Sequence, residues 1–257
     1  MTPEILKLNE NQSIAYHRSQ GDKSKPTVIF LGGLMSDMQG TKALALEKFC
    51  KEKKYCFVRF DYIGHGQSSG EFTDGTITIW KNNALAVMDN LTEGELVLVG
   101  SSLGGWLMIL AALERKERVV GLVGVASAPD FTQELIWEKM SLQEKNELKE
   151  KGIFMLKSDY GDEPYPITKE LIEDGRKNII LDKKINLDCP VRLLHGMEDE
   201  DVPNYLSIAL GQQLTTDNMC VNLIAGGDHR LSTDENIRLI CDTLGEMIDN
   251  MGKVWDD

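Results

Sequence analysis

The sequence predicts an α/β chain: a mostly parallel central sheet with helices on both faces, interrupted by one helical insertion. Three observations carry this. Apolar runs of strand length alternate with helical patterns along most of the 257 residues. Several runs, such as "TVIFL" and "ELVLVG", have no polar face, as strands buried on both sides require. The alternation breaks over a charged stretch at 131–186 and then resumes. The length exceeds the commonest domain size, but single α/β domains reach it, so one domain over 1–257 is expected.

The elements follow in order. "EILKL" (4–8) and "SIAYHRS" (13–19) alternate in period two around the turn-like "NENQ" and read as an edge hairpin. "KPTVIFLGGL" (25–34) is a buried strand ending in two glycines. "GTKALALEKFCKEKK" (40–54) has helical spacing, with Ala43, Leu44, Leu46 and Phe49 on one face. "YCFVRFDY" (55–62) is a strand, and 75–91 reads as helix in its second half. Strand 95–100, helix 103–117 and strand 119–129 follow. The insertion includes a helical run at 134–152 and an irregular stretch at 158–168. Its expected role is a cap over the strand ends, where open α/β sheets bind ligands. Strand 190–196, helix 204–214, strand 219–227 and an amphipathic helix at 234–251 complete the chain.

Composition narrows the function classes. A formal net charge of −13 opposes nucleic acid and anionic membranes. No run approaches the roughly 20 apolar residues of a membrane helix, so no membrane insertion is expected. The N-terminus has neither a basic region followed by an apolar run nor an arginine-rich pattern, which leads to an expected cytoplasmic location. The five cysteines, Cys50, Cys56, Cys189, Cys220 and Cys241, are odd in number and scattered. They fit reduced thiols better than disulfides or a metal site.

The chemistry centres on "VGSSLGGW" (99–106). Gly100, Ser102 and Gly104 match G-x-S-x-G, whereas Ser101 is preceded two residues earlier by Val99. The motif lies between a predicted strand and a predicted helix. There a sharp turn exposes a serine hydroxyl, and small neighbours let the chains pass. A serine hydroxyl needs a base. Of His17, His65, His195 and His229, only His229 follows both the serine and a suitable acid, the order that goes with this turn. His195 is expected to hydrogen-bond the loop carrying the acid. "HGMEDEDVP" (195–203) offers Glu198, Asp199, Glu200 and Asp201. Asp199 is the first choice, Asp201 the second, and Asp130 in "SAPDF" the third. Two backbone donors are needed at the oxyanion, and Leu103 and Leu34 of "GGLM" are the candidates. Met35, Trp106, Trp137 and Met140 are candidate pocket residues.

With "FLGGL", "RFDYIGHGQSSG", "GSSLGG", "HGMEDEDVP" and "DHR" in this order, the chain resembles the α/β-hydrolase superfamily over essentially its full length. More narrowly, "GTKALALEKFC", "GSSLGGWLM" and "RLLHGMEDEDVP" are similar to the family of α/β-hydrolase domain-containing protein ten and its bacterial relatives. The resemblance places the family's serine, acid and histidine on Ser102, Asp199 and His229. It implies removal of long acyl groups from protein cysteines and cleavage of acyl glucuronides. The expected function is ester or thioester hydrolysis through an acyl-enzyme, as a carboxylesterase or acyl-protein thioesterase. No metal or cofactor is expected, and the partner is a small acyl ester or thioester or an acylated protein. The alternatives are carbon–carbon bond hydrolysis on the same fold, or a non-catalytic binding protein.

Overall fold

A computed structural model describes residues 2–156 and 164–251. The strands are β1 (Glu4–Lys7), β2 (Ser13–Ser19), β3 (Thr27–Leu31), β4 (Phe57–Phe60), β5 (Leu96–Ser101) and β6 (Val119–Val125). Then come β7 (Ile153–Leu156), β8 (Tyr165–Thr168), β9 (Val191–Gly196) and β10 (Met219–Ile224). The helices are α1 (Thr41–Lys53), α2 (Ile77–Leu91), α3 (Leu103–Glu114), α4 (Leu142–Lys151), α5 (Lys169–Lys177), α6 (Tyr205–Gln213) and α7 (Asp234–Asn250).

The main sheet runs β1-β2-β4-β3-β5-β6-β9-β10. β1 pairs antiparallel with β2, and β2 with β4. Every other pairing is parallel. The apolar strands bury both faces. Leu96 and Leu98 of β5 join the core under α2 and α3, while Val97 and Val99 join the core under α1 and α7. That two-sided burial is why their sequence carries no polar alternation.

The order creates a crevice. From β3 the chain crosses by α1 to β4 on one side, then by α2 past β3 to β5 on the other. Loops leaving the carboxyl ends of β3 and β5 therefore diverge, which is where open sheets bind ligands.

Helix boundaries follow local chemistry. The Thr76 hydroxyl accepts the Ile79 N–H, so α2 begins at Ile77. The sequence pattern predicts helix only in the second half of 75–91; the cap and the buried Ile77 and Trp80 extend it. Between β6 and β9 the described segment is less helical than expected. It holds a π-helical turn (Thr132–Trp137), α4, the antiparallel β7–β8 hairpin and α5. α4 stops where the expected helical run ends, because Gly152 adopts φ +75; the hairpin follows it, and its second strand falls in the stretch expected to be irregular. Of the irregular stretch expected at 158–168, residues 158–163 lie outside the described residues. Among the described residues no helix is long and apolar enough to cross a membrane.

Candidate active site

Ser102 stands between β5 and α3 with φ 54 and ψ −118, in the left-handed half of φ that side chains avoid. The surroundings hold it there. Its N–H donates to Val125 O at 2.9 Å, and its carbonyl accepts the Ala128 N–H at 3.0 Å. A Cβ on Gly104 would overlap the carbonyls of Leu31 and Gly32, and one on Gly100 would overlap the carbonyl of Gly104. Gly104 therefore lets helix α3 start close to β3, and Gly100 lets it leave β5 in so tight a turn. Ser101, the last residue of β5, is buried and paired in register with Val125.

His229 lies in the loop between β10 and α7. Its Nε2 is 3.1 Å from Ser102 Oγ, and its Nδ1 is 2.8 Å from Asp199 Oδ2. A neutral ring with the proton on Nδ1 donates to Asp199 and accepts from the serine. The acid and the histidine meet because β9 and β10 are parallel neighbours, with Gly196 opposite Ile224. The loops after the two strands are tied by Glu198 N–H to Gly227 O at 2.9 Å.

Asp199 has a fully covered side chain. Oδ1 accepts the N–H groups of Val202 (2.8 Å) and Asp201 (3.1 Å); Oδ2 accepts from His229 and stands 3.0 Å from His195 Nε2. Burial pushes its pKa up, but the hydrogen bonds from His195 and His229 outweigh this and hold it well below the usual carboxylate range. His195 is itself fully buried, with Nδ1 2.7 Å from Ser207 Oγ and Nε2 2.8 Å from Val202 O. It thus braces the acid-bearing loop at two points. Asp130 is turned elsewhere, its carboxylate accepting the Ile180 and Leu181 N–H groups. His17 lies on β2 near the sheet edge, away from the serine. Donor atoms of Asp199, Asp201 and His229 lie within 4.8 Å of one another, as a metal site would require. His229 Nδ1 and Asp199 Oδ2 face each other there as donor and acceptor.

The loop after β3 folds into a turn, Ser36 N–H donating to Gly33 O at 3.2 Å. A Cβ on Gly33 would lie 3.4 Å from Ser102 Cβ, so this turn borders the serine. The Leu34 N–H has no acceptor among the described residues, and Leu103 opens α3, where amides lack helical acceptors.

A cavity of about 990 Å³ opens over Ser102 and His229. Leu34 and Met35 line it as expected. Phe131, Leu135, Ile136, Met155, Leu156 and Tyr165 form apolar wall contributed by the inserted segment. Lys42 and Arg230 line a polar end. The Lys42 ammonium donates to Arg230 O, and burial brings its pKa down to about 8.

Three expected pocket residues do not line this cavity. Trp106 is fully buried, donating Nε1–H to Asn178 O at 3.2 Å and standing edge-on to Phe131. Met140 packs into the core. Trp137 faces Lys145, Lys149 and Arg176, whose guanidinium sits 4.3 Å from the ring. The neighbouring Leu135 and Ile136 take the wall position instead. Their apolar character in "ELIWEKM" was the signal available in sequence, but nothing local said which side of the turn meets the cavity.

The model of the alpha/beta hydrolase fold family matches residues 26–164. The palmitoyl-protein thioesterase ABHD10 of Bos taurus is 39% identical over 245 residues, covering 94% of this chain and 78% of that protein. A solved structure from Agrobacterium vitis S4 superposes with a TM-score of 0.91 at 39% identity, covering 96% of this chain and 97% of that one. The structure of mouse alpha/beta hydrolase domain-containing protein 10 gives 0.91 at 36% identity, covering 98% and 100%. These relatives correct the expected cytoplasmic location: the Bos taurus protein is named as mitochondrial, as are its rat, mouse and human counterparts. The sheet order, the turn that carries Ser102 and these similarities together establish that the chain belongs to the α/β-hydrolase fold family of enzymes.

Proposed function

We propose that this chain is a serine hydrolase that cleaves long-chain acyl esters or thioesters through an acyl-enzyme, acting as an acyl-protein thioesterase or carboxylesterase. The observation that carries this is one continuous relay, Ser102 Oγ to His229 Nε2 at 3.1 Å and His229 Nδ1 to Asp199 Oδ2 at 2.8 Å, at the floor of an apolar-walled cavity. His229 takes the Ser102 proton as Oγ attacks the carbonyl carbon. Asp199 keeps the proton of the ring on Nδ1 and stabilises the imidazolium. The Leu34 and Leu103 amides receive the oxyanion. His229 then protonates the departing alcohol or thiol, and water repeats the sequence to release the acid. Residues 131–186 act as a cap within a single domain and supply the acyl wall. The thioesterase names of the mammalian relatives support a long acyl chain.

Two measurements test this. A fluorophosphonate probe should label the wild type and Ser101→Ala but not Ser102→Ala. Across matched esters and thioesters of increasing chain length, kcat/KM should rise by up to about fourfold per added methylene, since each buried methylene contributes about 0.8 kcal/mol. A flat profile over all chain lengths would refute the long-chain reading.

A further inference from the structure

We propose that His65 is a positioning residue for acyl transfer: its Nε2 accepts the Met35 N–H and thereby locks the turn that presents the Leu34 amide to the oxyanion. The inference rests on the serine-hydrolase reading above.

The geometry is specific. Met35 has φ 57 at the third position of the Gly33–Ser36 turn, where glycine is the usual occupant. An L-residue there resists that conformation, and rotation of the Leu34–Met35 peptide would relieve it. The Met35 N–H donates to His65 Nε2 at 3.2 Å. Rotating the peptide would break this bond and turn the Leu34 carbonyl towards the imidazole lone pair, setting acceptor against acceptor.

His65 is built to accept there. It is 4% exposed, with the edges or faces of Tyr62, Phe72 and Trp80 at ring-centroid distances of 5.6, 5.5 and 5.3 Å. Its Nδ1 lies 3.4 Å from Ile63 O, the side on which a proton belongs. Burial pushes its pKa down to about 4, so the ring is neutral near pH 7 and Nε2 keeps its lone pair. The far end of the same loop is fixed independently. Met38 N–H donates to Asp61 Oδ1 at 2.6 Å, and Arg59 Nη1 donates to Met38 O at 2.7 Å. β4 and the stretch following it thus grip the loop following β3 at both ends, and His65 holds the end nearer Ser102.

The test compares His65→Phe, which keeps an aromatic ring but no acceptor, with His65→Gln, which restores one. His65→Phe should lower kcat by about 10- to 100-fold with KM within about threefold, short of the loss when an oxyanion donor is removed outright. Affinity for a trifluoromethyl ketone analogue of the substrate should fall in parallel, and His65→Gln should recover much of both. In a Met35→Gly background, where the turn is unstrained, His65→Phe should cost about threefold or less in kcat. Wild-type kcat in His65→Phe, equal losses in Phe and Gln, or an undiminished loss in the Met35→Gly background would each overturn the proposal. Should His65→Phe not fold, ¹⁵N NMR of the wild-type imidazole decides: an unprotonated Nε2 supports it, a protonated Nε2 refutes it. Full activity in Ser102→Ala would instead refute the hydrolase reading, which separates the two failures.

Discussion

Asp130→Asn should change the pH dependence of stability while sparing catalysis. Asp130 is 2% exposed, and its carboxylate accepts the N–H groups of Ile180 (3.0 and 3.1 Å) and Leu181 (2.9 Å). It therefore ties the start of the inserted segment, past the end of β6, to its later part before β9. Burial pushes its pKa from 3.8 up to about 6, against the two amides, which lower it. A carboxyl raised in the folded state binds its proton more tightly folded than unfolded. Its contribution to stability is therefore fully present below the unfolded value and is lost as pH rises through about 6. The whole difference corresponds to about 3 kcal/mol, of which about 2 kcal/mol falls between pH ~7.5 and ~4.5. Asparagine does not titrate there, so acidification should shift the stability difference by about 2 kcal/mol in favour of the wild type. Urea unfolding followed by tryptophan fluorescence at both pH values measures this. Subtracting the variant removes groups common to both proteins, including Asp61 and Asp199. Asp130 does not bond His229, so kcat near neutral pH should stay within about fivefold of wild type. A stability difference that is constant with pH, or that moves the other way, would refute the linkage argument. A thousandfold loss of kcat would return Asp130 to candidacy as the relay acid.

Asp199→Asn should lower kcat by about 10³- to 10⁴-fold, because an amide in place of the carboxylate no longer holds His229 with its proton on Nδ1; retention of a tenth of wild-type activity would exclude Asp199 from that role. His195→Ala should lower stability by about 2–4 kcal/mol, since Ser207 and Val202 each lose a buried partner, and should lower kcat by about tenfold through the loosened acid loop. Thermal denaturation and steady-state kinetics on the same preparation separate the two effects. An unchanged melting temperature would show that the His195 bonds carry little of the loop's order.

Much of this protein was legible along the chain because the signals are local. Strands buried on both faces must be apolar throughout, so "TVIFL" and "LVLVG" announced the central sheet, and the alternation with helices announced parallel pairing. Gly100 and Gly104 selected Ser102 over Ser101, because only that spacing lets a helix leave so close to a strand. Chain order was enough to choose His229.

Choices between residues in different segments needed the tertiary structure. Four acids stand in a row and Asp199 is the first choice among them from sequence; the parallel pairing of β9 with β10 brings its loop against that of His229. Helical spacing shows which residues share a face but not what that face meets, so Trp106, Trp137 and Met140 looked like pocket residues while Leu135 and Ile136 form the wall. The β7–β8 hairpin rests on pairing between two short runs with weak patterns of their own. His65 is the clearest case. Its neighbours in sequence show only a loop after a strand, and its bond to Met35 spans thirty residues. Periodicity and turn chemistry act over a few residues, so the sequence marked most of the strands and helices and the turn that holds Ser102. Sheet order and the packing of the inserted segment decide which loops meet, and so they bring Asp199 against His229, form the apolar cavity wall and join Met35 to His65.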